Sequence, residues 1–252
     1  NFNHCLMHCN TSLIRSGAQV KCIWYSGQMT TSSAPLVTIY ITSRDYGHYL
    51  AQALESVRRQ LYTHWELFII DDASGDDTSK VAGEFRARVA QRVSVIRHAE
   101  PKGLQRIANS ILEQANGTYI VRLDADDWLH EAALLVMVGK LESDPSAGMV
   151  YGDYFFAAPD AGVLDGAVRL GRGHALGHLA PHGACTMVRT KHLKSLGGYS
   201  EEFTAQDGWD LWLRMQRSAP SIYVDLPLFY YRQHDESLSK NRKRILSNRA
   251  AI

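Results

Sequence analysis

The sequence predicts an α/β domain: a mostly parallel sheet covered by helices on both faces. Three observations carry that expectation. Short apolar, β-branched runs alternate with stretches of helical period. The runs are apolar nearly throughout, as strands buried on both sides are. Several of them end abruptly in acids, and the carboxyl ends of parallel strands are where such sheets bind ligands.

The elements follow in order from residue 35. LVTIYI (36–41) is the first strand, and residues 48–61 are a helix with Leu50, Leu54, Val57 and Leu61 on one face. ELFII (66–70) is the second strand, ending at Asp71 and Asp72, and ASGDDTS turns into a helix near Thr78. RVSVI (92–96) is the third strand. Residues 103–117 form a helix with Ile107, Ile111 and Leu112 inward and Gly117 as its stop. TYIVRL (118–123) is the fourth strand, residues 131–143 a helix, and GMVYGDYFF (148–156) a further strand. Residues 157–183 are rich in Gly and His and are expected to be irregular. There His174, His178 and His182 recur every four residues, but their Gly- and Pro-rich setting favours an acceptor loop or lid over a helical metal face. Residues 184–189 resume as strand, 210–217 as helix, and 221–224 and 228–234 as two late strands.

Bulk composition excludes some function classes. A net charge of +1 argues against a dedicated nucleic-acid binder. No apolar run approaches the roughly 20 residues of a membrane helix. Four cysteines, three of them (Cys5, Cys9, Cys22) near the start and Cys185 alone, make no disulfide framework and fit a reducing, cytoplasmic setting. Residues 1–34 lack strand or helix logic and are expected to be a poorly ordered or non-native extension; Met29, before TTSSAP, looks like a natural start. His4, Cys5, His8 and Cys9 offer soft ligands, yet no second ligand pair lies downstream to complete a zinc site. The basic tail, 241–252, is expected to be a solvated helix, with a peripheral contact at the inner face of a membrane as the alternative.

The chemistry concentrates at the strand ends. The first strand ends in Thr42, Ser43, Arg44 and Asp45, the second in Asp71 and Asp72, and the fourth in Asp124, Asp126 and Asp127. If these strands are neighbours, their tips line one crevice with several carboxylates. Such a cluster needs a cation, and hard oxygen ligands suit Mn²⁺ or Mg²⁺ better than zinc. A divalent ion shared with a diphosphate would make the crowding tolerable.

In order and spacing these segments resemble the glycosyltransferase family 2 catalytic domain, of the Rossmann-like GT-A fold. VTIYITSRDYGHYLAQALESVRRQ is similar to its opening strand and helix, IIDDASGDDT to its nucleotide-binding segment, and YIVRLDADDW to its metal-binding aspartate motif. LGGYSEEFTAQDGWDLWLR and YYRQHDESLS resemble its acceptor-side segments, so the resemblance runs from about Pro35 to about Ser239. It implies that Thr42, Ser43 and Asp45 border the nucleotide and that Asp72 bonds the base. Gly103 and Arg106 would lie beside the nucleotide, with Asp124 at the ribose. Asp126 would ligate the metal, helped by His234. Asp207 would be the general base; AQDGWDLW carries one residue more than many relatives between its acids, so Asp210 stays open as the alternative.

The implied reaction is inverting transfer of a sugar from a nucleotide-diphosphate sugar, UDP foremost, to an acceptor hydroxyl. The acceptor would be a saccharide or lipid-linked saccharide in surface polysaccharide or glycan synthesis. Trp209, Trp212, Tyr230 and Tyr231 could stack on a sugar, although at helix and strand spacing such residues are more often core. A phosphatase of the haloacid dehalogenase type would want Thr or Val shortly after its second Asp, where Asp127 and Trp128 stand. A receiver domain would be about half this length. A sugar nucleotidyltransferase would open with a Gly-rich loop where TSRDYGHYL has only Gly47. A silent nucleotide-sugar-binding module differs from an enzyme only by assay.

Overall fold

The computed structural model describes residues 34–171, 183–202 and 207–235, with only the backbone at Asp165, Asp207 and Gly208. All of them fall in one compact unit that begins at Ala34. The zinc candidates in residues 1–34, the histidines 174–182 and the tail 241–252 lie outside the described residues.

The first half follows the expected alternation. Strand β1 (Val37–Ser43), helix α1 (Gly47–Arg58), β2 (Trp65–Asp71), α2 (Thr78–Arg86), β3 (Val93–Arg97), α3 (Leu104–Gln114) and β4 (Tyr119–Asp124) succeed one another. The four strands pair in parallel in the spatial order β3-β2-β1-β4. Then come β5 (Trp128–Leu129), α4 (Ala133–Ser143), β6 (Met149–Ala157), β7 (Val163–Val168), β8 (Met187–Arg189), α5 (Thr190–Ser195), α6 (Asp207–Ser218) and β9 (Ser221–Arg232). Short β8 pairs antiparallel with both β4 and β6, and β6 continues the sheet in parallel with β9. The sheet is therefore mixed but mostly parallel, with helices on both faces, as expected.

Strand pleating divides the core. Val37, Ile39 and Ile41 of β1 share one face with Leu67, Ile69, Val121 and Leu123, packed against Leu50, Leu54 and Val57 of α1, Phe85 of α2 and Met137 of α4. Tyr40, Phe68, Ile70 and Ile120 share the other with Ile107 and Ile111 of α3 and Trp212 and Met215 of α6. Each fully buried aliphatic side chain of this kind contributes roughly 1.5–3 kcal/mol.

Four local expectations are corrected. Leu61 is 59% exposed. Helix α1 stops at Arg58, and buried Gln60 takes the inward place: its amide donates to the Ser56 and His130 carbonyls, and its Oε1 accepts the Leu134 N–H at the start of α4, which has no cap of its own. A capping amide outcompetes Leu61 because helix-end N–H groups must find partners. Gly117 does not cap α3, which ends at Gln114. Its role is close approach, since a Cβ there would lie 2.5 Å from the Thr38 nitrogen and 2.6 Å from the Tyr119 oxygen. The 157–183 stretch contains strand β7, antiparallel to β6. The two late strands are one, β9, whose register against β6 shifts around Asp153; a bulge lets a strand pass an irregularity without ending.

Candidate active site at the strand tips

The register brings three tips level. Thr42 of β1 faces Asp124 of β4 on one side and Ile70 of β2 on the other, and Ser43 faces Asp71. Successive strands run from β1 outward to β3, and the chain then returns to place β4 on the other flank of β1. That reversal beside β1 is a topological switch point, where open α/β sheets bind ligands.

The turns after β1 and β2 are laced together. Asp45 adopts the left-handed conformation (φ 62°), its N–H donates to Ser74 Oγ at 3.0 Å, and its Oδ1 accepts the Gly75 N–H at 2.8 Å. Asp tolerates this backbone region better than most residues. Gly47 donates to Asp76 Oδ2 at 2.7 Å, and a Cβ on Gly47 would lie 2.8 Å from the Thr78 nitrogen. The Ser43 side chain is fully buried, with the hydroxyl 3.4 Å from Thr78 Oγ1, so it packs β1 against α2. Thr42 is half-buried, and its Oγ1 has no hydrogen-bond partner among the described residues.

Asp72 is buried and organises the segment before α3. It accepts the Lys102 N–H at 2.8 Å and the Gly103 N–H at 3.1 Å and lies 2.9 Å from His98 Nδ1. Burial alone would raise its pKa, but the bonds from Lys102, His98 and Gly103 together hold it below the ordinary value. Gly103 itself has φ 84°, a conformation that favours glycine. Arg106 is exposed and pairs with Glu201 at 3.2 Å, so α3 is tied to the 196–202 loop. Asn109 strengthens that tie through both backbone groups of Tyr199.

The fourth tip holds the acid cluster. Asp124 pairs with buried Arg122 at 2.8 Å. Asp126 Oδ2 lies 2.9 Å from His234 Nε2, just beyond β9. Burial, then the charge of Asp124, raises the Asp126 pKa, while His234 opposes the rise. Asp127 is fully buried and pushed well above the ordinary carboxylate value by burial and then by Asp126 and Asp124; its Oδ1 accepts the Arg232 N–H and its Oδ2 has no hydrogen-bond partner. Asp124 makes Asp126 harder to ionise, and together they do the same to Asp127; a divalent ion would relieve that cost. Asp126 could offer a hard oxygen donor suited to Mn²⁺ or Mg²⁺, and His234 a nitrogen donor, which Mn²⁺ accepts better than Mg²⁺. Among the described residues no three ligating side chains converge, so other positions would fall to diphosphate oxygens and water.

On the acceptor side, α6 begins at Asp207. Asp210, in the first turn of α6, pairs with Arg214 at 2.6 Å. Arg214 also donates to the carbonyls of Leu196 and Gly198. Trp212 is buried, and the Tyr230 ring lies between those of Trp128 (5.0 Å, 9°) and Phe155 (5.3 Å, 22°), which leaves neither of its faces for a sugar. An open cavity of about 660 Å³ lined by Arg169, Gly171, Tyr223 and Asp225 includes none of the expected site residues.

Residues 38–160 match the model of glycosyl transferase family 2. The matched segment belongs to that family. Within it lie all three tips, with Asp72, Asp124 and Asp126. The putative glycosyltransferase EpsE of Bacillus subtilis (strain 168) is 29% identical over 226 residues, 84% of this chain and 77% of EpsE. The crystal structure of S. aureus TarS 1-349 in complex with UDP-GlcNAc superposes with a TM-score of 0.67 at 15% identity, over 81% of this chain and 60% of that one. The mannosyltransferase PcManGT from Pyrobaculum calidifontis, in complex with GDP-Man and Mn²⁺, gives 0.69 at 17% identity, over 86% and 62%. The chain thus spans less than two thirds of either solved chain. Its fold is GT-A.

The sequence missed Arg122, His98, Asn109 and Arg232. Only Arg232 left a signal, a lone cation in the aromatic run LFYYR.

Proposed function

We propose that this chain is an inverting, metal-dependent glycosyltransferase that moves a sugar from a nucleotide-diphosphate sugar, UDP foremost, to a hydroxyl of a glycan acceptor. The observation that carries it is the contact of Asp126 with His234 beside the switch point. Family membership and the nucleotide-sugar complexes of TarS and PcManGT support the same reading.

Asp126 and His234 would hold Mn²⁺ or Mg²⁺, which when bound supplies countercharge for the diphosphate. Asp72, through the 98–103 segment it organises, shapes the place for the base, with Thr42, Asp45, Gly103 and Arg106 around the nucleotide and Asp124 at the ribose. Asp207 takes the proton of the acceptor hydroxyl. The acceptor oxygen bonds the anomeric carbon opposite the leaving group, the bond to the diphosphate breaks, and its electron pair leaves on the phosphate oxygen. One such displacement inverts the anomeric centre. The ion pair of Asp210 with Arg214 favours Asp207 as the base, since a carboxylate held by a guanidinium is not free to turn toward an acceptor hydroxyl.

The test is turnover of a panel of UDP-, GDP- and dTDP-sugars with glycan acceptors, with Mn²⁺ and with EDTA. Anomeric configuration of the product is read by NMR. Metal-dependent transfer with inversion is expected, and Asp207→Asn should lose about 10²-fold or more in kcat with nucleotide binding intact. Retention, metal-independent transfer, or nucleotide-sugar binding without transfer to any acceptor would overturn it.

A further inference from the structure

We propose that Arg232 is a positioning residue that sets the metal-facing geometry of both Asp126 and His234; this rests on the site reading above. Arg232 is 2% exposed, among the largest fully buried side chains described. An arginine this deep needs a full set of partners, since an unpaired buried charge is prohibitively costly. Its partners are distributed around the site. Its Nε donates to the Asp126 carbonyl at 2.8 Å, and its backbone N–H donates to Asp127 Oδ1 at 2.9 Å. One terminal nitrogen donates to the carbonyls of Ala158 and Pro159, and the other to Gln52 Oε1 on α1. The guanidinium carbon lies 4.4 Å from the centroid of Tyr49 and 4.7 Å from that of Trp128.

The consequence is geometric. Asp126 sits on the 124–127 loop, and His234 follows Arg232 by two residues at the end of β9. One rigid planar group therefore ties the backbone of one candidate ligand to the strand that carries the other. Tyr49, over whose ring Arg232 lies, is also 5.1 Å from the His234 ring, so the same node reaches the backbone of one candidate ligand and the ring of the other. Groups that orient metal ligands without touching the metal typically change metal affinity about 10- to 100-fold when altered. Lysine keeps the charge but loses the planar fork, so it can satisfy only part of this set.

The experiment uses the full chain and calorimetry with UDP and GDP, each with Mn²⁺ and with EDTA, beside a thermal melt. Arg232→Lys should melt cooperatively, lose about tenfold or more of the Mn²⁺-dependent nucleotide affinity, and keep the affinity in EDTA. A folded R232K that loses both affinities equally, or neither, overturns the proposal. If R232K does not melt cooperatively, Gln52→Leu decides instead: it loosens the guanidinium from outside and should weaken only the Mn²⁺-dependent part, and no change there overturns the proposal. Asp126→Ala separates the two levels. If D126A leaves the Mn²⁺-dependent part intact, the metal site itself is wrong and the role of Arg232 falls with it. If D126A abolishes that part while R232K is silent, only the role of Arg232 falls.

Discussion

His234 Nε2 lies 2.9 Å from Asp126 Oδ2, although 108 residues separate the two in sequence. The contact joins the end of β9 to the loop after β4. In the metal-free protein it also lowers the Asp126 pKa against the effect of burial and Asp124. Removing His234 therefore deletes one donor and leaves the other harder to ionise.

His234→Ala should weaken Mn²⁺-dependent nucleotide binding by about tenfold or more. Calorimetry with Mn²⁺ and with EDTA checks it; an unchanged Mn²⁺-dependent affinity would remove His234 from the candidate metal site.

Asp127→Asn should stabilise the metal-free protein at neutral pH. Asp127 is raised well above its ordinary value by burial and its acidic neighbours. A carboxyl raised in the folded state contributes stability that is full below the unfolded pKa of about 3.9 and is lost as pH rises through the folded value. Asparagine cannot ionise, so the variant escapes that loss. Melts in EDTA should show its advantage growing with pH; parallel curves for the two proteins would contradict the assignment.

Gly117→Ala should cost on the order of 1–3 kcal/mol, because the new methyl meets the backbone of Thr38 and Tyr119, where nothing flexible can yield. Denaturant unfolding measures it. A loss of only a few tenths would show that the β1–β4 contact can widen.

Asp72→Ala should cost about 1–3 kcal/mol by leaving the Lys102 and Gly103 N–H groups without their acceptor. Its lowered pKa means that this contribution is present above the unfolded value and fades as pH falls through the folded one, so the gap to wild type should close in acid. Amide exchange should rise at residues 98–106; unchanged protection there would place the 98–103 segment under other control.

Much of this was legible in the chain before any coordinates. The continuous apolar runs marked β1 to β4, the 3.6-residue period marked α1, α3 and α4, and the acids at the tips marked the site. Leu61 and Gly117 were misjudged because the local period could not show Gln60 capping α4 or the Thr38 backbone pressing on residue 117. Strand β7 escaped because its glycine-containing segment, VLDGAV, depends on β6 for its pairing.

The sequence by itself determined the element types and which residues stand at strand ends, because side-chain period and turn chemistry act over a few residues. Tertiary structure alone decided which ends are neighbours. It set Thr42 level with Asp124, wedged antiparallel β8 between two parallel blocks, brought His234 to Asp126 and buried Arg232 among its acceptors. Those contacts depend on strand order and on packing of residues up to 180 positions apart, as for Gln52 and Arg232, and no local period encodes them.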